Sequence, residues 1–158
     1  MSNFYEEFVV GEENVLGSRR FTREAILEFA RAYDPQPFHL DDKAGEASIF
    51  GSLCASGWHT ASVAMRCIVD WREKGRAERV ARGEAAPPLG VSPGLRELRW
   101  GAPVRPGDTV TYSSRVISKR ETKHPQWGLV SLATRGVNQH GVEVISFQSS
   151  AFAARRGA

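Results

Sequence analysis

The chain has 158 residues and a mass of 17.4 kDa, which is room for one ordinary domain. With 41% hydrophobic and 25% charged residues it falls among globular proteins, outside the disordered and fibrous classes. Lys and Arg number 21 against 18 Asp and Glu, a balance of +3. The split is uneven: residues 1–50 hold five basic against ten acidic groups (−5), and residues 51–158 hold sixteen against eight (+8). A basic second half can favour an anionic ligand, although its ordinary meaning is a solvated face.

Cys54 and Cys67 are the only cysteines and form no C-x-x-C, so zinc and thioredoxin-like sites are excluded and a reduced compartment is expected. Met1-Ser2-Asn3-Phe4-Tyr5-Glu6-Glu7 lacks the basic region and apolar run of a signal peptide. No stretch reaches the roughly 18 apolar residues of a membrane span. The expectation is a cytoplasmic protein with no membrane partner.

In chain order, residues 14–21 read as a first strand. Thr22 then offers a capping hydroxyl to a helix in which Ile26, Phe29, Ala30 and Tyr33 recur at helical spacing. Asp34-Pro35 ends it, because a residue before proline disfavours the α region. A short helix follows over about Asp41 to Ala47. From Gly57 to about Glu73 a long helix is apolar nearly all round, which predicts burial, with one polar stripe of His59, Ser62, Arg66, Asp70 and Glu73. Residues 74–93 read as a helix tail and a long exposed loop. Strands then run over 95–100, 109–119, 129–138 and 142–152, with a turn at Arg105-Pro106-Gly107-Asp108 and a hairpin connection at Gln139-His140-Gly141. One buried helix and long antiparallel strands define an α+β domain, a strongly curved sheet wrapped around the helix, the pattern of a hot-dog fold.

The chemistry concentrates in Tyr33-Asp34-Pro35-Gln36-Pro37-Phe38-His39. Two prolines stiffen a segment carrying a carboxylate and an imidazole, both usable for proton transfer near neutral pH. Fully extended, five residues span roughly 16 Å, so the chain must turn before both groups reach one substrate. A helix-ending Asp with a turn histidine packed under it is the plainer account of the same residues.

Asp34-x-Gln36-Pro37-Phe38-His39 resembles the hydratase motif of the MaoC-like dehydratases, the (R)-specific enoyl-CoA hydratase group, which reads Asp-x-Asn-Pro-aliphatic-His. The resemblance extends through Ile49–Val63, with Gly57 opening the central helix and Ala61-Ser62 inside it. It continues through Pro103–Thr109 and Asn138-Gln139-His140-Gly141, and so covers residues 14 to 155 of a single domain spanning 1–158. It implies a hot-dog fold and an acyl-CoA hydratase or dehydratase that adds water across a trans-2-enoyl thioester or removes it. Asp34 and His39 take the places of the family's catalytic Asp and His, and Gly57 that of the glycine whose N–H binds the thioester oxygen. A helix-opening amide suits that task, being unpaired and at the positive end of the dipole. Ser62 aligns with a family serine near the site, and Gln36 and Ser56 join it as oxyanion- or substrate-binding candidates.

Three positions depart from the pattern. Gln36 stands for the usual Asn, Ser56 for a histidine common just before the glycine, and Tyr33 for a glycine. They keep two other readings open: a hot-dog thioesterase that releases free thiol, and a non-catalytic acyl-CoA-binding or assembly module. No G-x-G-x-x-G, P-loop or metal-ligand cluster is present, and water addition needs neither metal nor flavin, so no cofactor is expected. Nucleic-acid binding lacks a docking motif. Arg96, Arg99 and Arg105 are the candidates for coenzyme A phosphates, and His59 is a further polar candidate beside Ser62. His124 and His140 fall in turns and are expected at the surface. The family resemblance also implies a homodimer, with two sheets joined edge to edge, or a larger homo-oligomer.

Overall fold

Thr22 caps as its position predicts. Its hydroxyl accepts the Ala25 N–H at 3.2 Å and opens α1, Arg23–Tyr33. A computed structural model describes residues 3–157. Within it β1 (Glu13–Arg20) precedes α1, and two short helices follow, α2 (Pro37–Leu40) and α3 (Asp42–Glu46). The long helix α4 (Gly57–Ala81) leads into β2 (Gly94–Arg99), β3 (Thr109–Glu121), β4 (Trp127–Asn138) and β5 (Glu143–Ala154). All five strands pair antiparallel in the order β1-β3-β4-β5-β2. This is the hot-dog fold.

Register shifts between Val15 and Gly17, and between Val116 and Ser118, insert the extra residues that bend a sheet. The bent sheet packs on α4 through one core: Leu16, Phe21, Ile26, Ala64, Cys67, Val110, Tyr112, Ile145 and Phe147 are all buried there. The Tyr112 hydroxyl donates to the Thr60 carbonyl at 3.2 Å, pinning the sheet to the second turn of the helix. The connection after β4 closes on Asn138, whose side-chain oxygen accepts from the N–H groups of His140 and Val142, both at 3.0 Å. His124 and His140 are exposed.

Three expectations are corrected. The central helix runs past Glu73 to Ala81, so its tail takes residues 74–81 and the exposed loop only 82–93. No proline occurs between Pro37 and Pro87, and the buried Arg79 anchors the last turns by pairing with Glu7 at 2.7 Å. Residues 82–93 form a mostly exposed loop with a tie to the sheet: Pro87 is buried, and the Val91 carbonyl accepts the Phe152 N–H at 3.0 Å. The apolar circumference of α4 is covered on one side only, since Trp58, Met65 and Val69 stay exposed in the single chain. His59 leaves the polar stripe and is buried between two rings, stacked on Phe29 at 4.7 Å and edge-on to Phe21 at 5.0 Å. No helix of the described residues is long and apolar enough to cross a membrane.

The His59 Nδ1 has no hydrogen-bond partner among the described residues, and burial pushes the imidazole pKa down to about 4. The unfolded chain takes up this proton near pH 6.5, but the folded chain does not until about 4. Stability from this residue is therefore fully present above pH 6.5 and is lost as pH falls toward 4. Urea unfolding of wild type and His59→Phe should diverge between pH 7 and pH 4, wild type losing about 3 kcal/mol more than the variant.

Candidate active site

The turn that sequence spacing requires is made by α2. Asp34 caps the end of α1 with its N–H on the Ala30 carbonyl at 2.9 Å, and Pro35 prevents continuation. Gln36 and Pro37 open a new helical turn, with proline where its missing N–H costs nothing. His39, on that turn, folds back so that its Nε2 stands 3.5 Å from Asp34 Oδ2. The two groups predicted as a pair are therefore brought together, with His39 buried and Asp34 keeping 17% of its side-chain exposure.

Extended residues Leu53 to Ser56 run beneath this turn and are all buried. The Cys54 carbonyl lies 2.8 Å from His39 Nδ1. A carbonyl only accepts, so Nδ1 carries a proton, and Nε2 is the nitrogen turned toward the carboxylate. Phe38 and Phe50 wall the imidazole, with ring centroids 4.6 Å and 6.4 Å from it.

Asp34 accepts from Ser56 Oγ at 2.6 Å on Oδ2 and from Gln36 Nε2 at 2.8 Å on Oδ1. Burial raises its pKa, but the Ser56 and Gln36 bonds and the nearby His39 outweigh burial and leave it below the usual carboxylate value. The carboxylate is thus ionised at neutral pH. Gln36 and Ser56, read from sequence as substrate- or oxyanion-binding candidates, sit on the Asp34 carboxylate instead of pointing away from it.

Ser56 is also the N-cap of α4, accepting the Trp58 N–H at 3.2 Å. Gly57 is the first helical residue, so its own N–H has no acceptor inside the helix. A Cβ on Gly57 would lie 2.5 Å from the Trp100 indole, whose Nε1 donates to the Gly57 carbonyl at 2.9 Å. Glycine is needed here for that close approach. Trp100 has no sequence signature linking it to Gly57, 43 positions earlier.

Ser62 is exposed and returns its hydroxyl to the Trp58 carbonyl at 2.8 Å, with no hydrogen bond to Asp34 or His39 among the described residues. His59 belongs to the core. Of the three arginines, Arg105 donates at 2.9 Å to the carbonyl of Phe50, whose ring walls His39, whereas Arg96 donates to Gln148 at 3.1 Å on the sheet. Arg99 lines a hollow on the sheet with Glu97, Arg115, Arg135 and Glu143. A largely apolar cavity of about 340 Å³ lies between α4 and the sheet, lined by Leu16, Ala61, Met65, Ile68, Leu132 and Phe147 among others. It does not include Asp34 or His39, but Gly57, Ala61, Met65 and Ile68 share one stripe of α4 by helical spacing.

A hot-dog domain that brings a partly buried Asp and a buried His together beside the N-terminus of its long helix fits the hydratase–dehydratase class. The MaoC-like domain family profile matches residues 9–136, and the chain belongs to that family. A MaoC-like dehydratase from Rhodospirillum rubrum is 33% identical and superposes with a TM-score of 0.82, each chain covered to 99%. An (R)-hydratase from A. caviae involved in PHA biosynthesis superposes at 0.65 with 24% identity, over 92% of this chain and 97% of that one. A mesaconyl-CoA hydratase from Cereibacter sphaeroides is 44% identical over 54 residues, 34% of this chain and 16% of that protein.

Replacing Gly57 by Ala drives a methyl into the indole. The expected result is a displaced Trp100, read as a shifted, faster-exchanging indole N–H resonance in a 15N spectrum with the far-UV circular dichroism of wild type retained.

Proposed function

We propose that the protein is an acyl-CoA hydratase or dehydratase acting on a trans-2-enoyl thioester, with Asp34 and His39 as its acid–base pair. The observation that carries this reading is the 3.5 Å approach of His39 Nε2 to Asp34 Oδ2 with Nδ1 committed to a carbonyl. In the hydration direction a water between them loses a proton to the pair as its oxygen adds to the β-carbon. The α-carbon receives a proton from the pair, and the negative charge that develops on the thioester oxygen meets the Gly57 N–H. Such a donor in a water-poor site contributes about 3 kcal/mol of transition-state stabilisation. The stripe from Gly57 through Ala61 and Met65 leads from that amide toward the apolar cavity, a course suited to an acyl chain. Arg105 at the rim suits the phosphates of coenzyme A, and no metal or cofactor enters the reaction.

Loss of the conjugated-thioester absorbance over a series of enoyl-CoAs tests this. Asp34→Asn and His39→Ala should each lower the hydration rate roughly 10²- to 10⁴-fold. Free thiol release in place of hydration would establish a thioesterase, and tight acyl-CoA binding without turnover, unchanged in Asp34→Asn, a binding module.

We propose further that the working unit is a homodimer. β2 is an edge strand bonded only to β5 and exposed along most of its length, and open edges need cover. Leu95 on this strand is exposed, as are Val91, Trp58 and Met65 nearby in the chain or on α4. Wild type should elute as a dimer in size-exclusion chromatography with light scattering, and Leu95→Glu should shift it toward monomer.

A further inference from the structure

We infer that Ser56 is a positioning residue, its hydroxyl fixing the Asp34 carboxylate against the residue that carries the oxyanion donor. The inference rests on the reading of Asp34 as the carboxylate of the reaction. Ser56 is fully buried, so its hydroxyl depends on partners within the protein. Its oxygen accepts the Trp58 N–H at 3.2 Å, and its single hydrogen goes to Asp34 Oδ2 at 2.6 Å. The direction of this bond is set by chemistry, because an ionised carboxylate only accepts.

An N-cap serine needs only to accept from the first turn. The bond to Asp34 is additional, and it joins positions 22 apart in the chain. Gln36 holds the other carboxylate oxygen at 2.8 Å, but from the same turn as Asp34. Of the two donors, only Ser56 ties Asp34 to α4. Since Ser56 is bonded directly to Gly57, one residue sets the separation between the proton-transfer group and the amide that receives the thioester charge. Oδ2 is also the oxygen that faces His39 Nε2 at 3.5 Å, so the same bond fixes the distance within the acid–base pair. Ser56 stands where the motif commonly has histidine, and a short hydroxyl fits that fully buried position while keeping a donor on the carboxylate.

The test separates positioning from capping. In protein labelled with 13C-aspartate, the Asp34 carboxyl resonance, assigned by its loss in Asp34→Asn, is titrated in wild type, Ser56→Ala and Ser56→Cys. The midpoint should move upward in Ser56→Ala and lie between the two in Ser56→Cys, whose thiol is a weaker donor. With crotonyl-CoA as probe, kcat should fall roughly ten- to hundredfold in Ser56→Ala, with KM within about twofold of wild type. A check without any Ser56 variant is the wild-type Ser56 hydroxyl proton, which should exchange slowly with solvent and become fast in Asp34→Ala. An unmoved Asp34 midpoint in a folded Ser56 variant overturns the proposal, as does a fast-exchanging hydroxyl in wild type. If wild type hydrates no enoyl-CoA, the assigned reaction fails, while the titration and exchange still decide whether Ser56 holds Asp34.

Discussion

Keeping one partly buried carboxylate charged is the constraint around which the rest of the site is arranged. Asp34 retains 17% of its side-chain exposure, and desolvation alone would drive it toward the neutral acid. Three elements oppose that. Gln36 donates from the turn after α1, Ser56 donates from the N-cap of α4, and His39 approaches from α2. Each reaches Asp34 because of a local rule: proline ends α1, proline opens α2, and serine caps α4. The meeting of Asp34 and His39 is therefore a by-product of three helix boundaries converging on one point.

Helix α4 connects this point to the remainder of the fold. Its first turn presents Gly57 and Ser56 to the site, and its second is held to the sheet by the Tyr112–Thr60 bond. His59 lies between, and its place among Phe21 and Phe29 ties the start of α4 to α1. A buried imidazole with an unpartnered nitrogen weakens the fold in acid, so the stack stabilises the meeting of α1 and α4 only while His59 is neutral.

Much of this was legible in the sequence because it depends on local rules. Thr22 as a cap, the break at Pro35, the start of the long helix at Gly57 and the closing hairpin after Asn138 each follow from residues within a few positions. The pairing of Asp34 with His39 required the family motif, since spacing alone allowed the two groups to stand roughly 16 Å apart. What stayed hidden was non-local. The Ser56–Asp34 bond and the cover of Gly57 by Trp100 are tertiary contacts, and Ser56 appeared only as a departure from the usual residue. His59 was placed on a polar stripe because its burial depends on Phe21 and Phe29, outside the helix. The length of the helix tail is hidden for a related reason: the Arg79–Glu7 contact that anchors it spans 72 positions.

The charge asymmetry takes a different meaning once the chain is folded. Acidic groups of the first part are met by arginines of the second: Glu7 by Arg79 and Arg156, Glu6 by Arg155, and Glu13 by Arg115 and Arg135. Arg115 first, then Ser113 and Arg135, holds the Glu13 carboxyl down to about 2. In the other sense, Arg19 of the first part pairs with Asp70. Arg79 is buried and its pair with Glu7 anchors the end of α4, but exposed pairs such as Glu13 with Arg115 and Arg135 add little to stability. Their effect is on the field outside the protein. By joining acidic groups of the first part to basic groups of the second, they offset much of the +8 carried by residues 51–158, so the uneven split along the chain does not persist across these pairs in the fold.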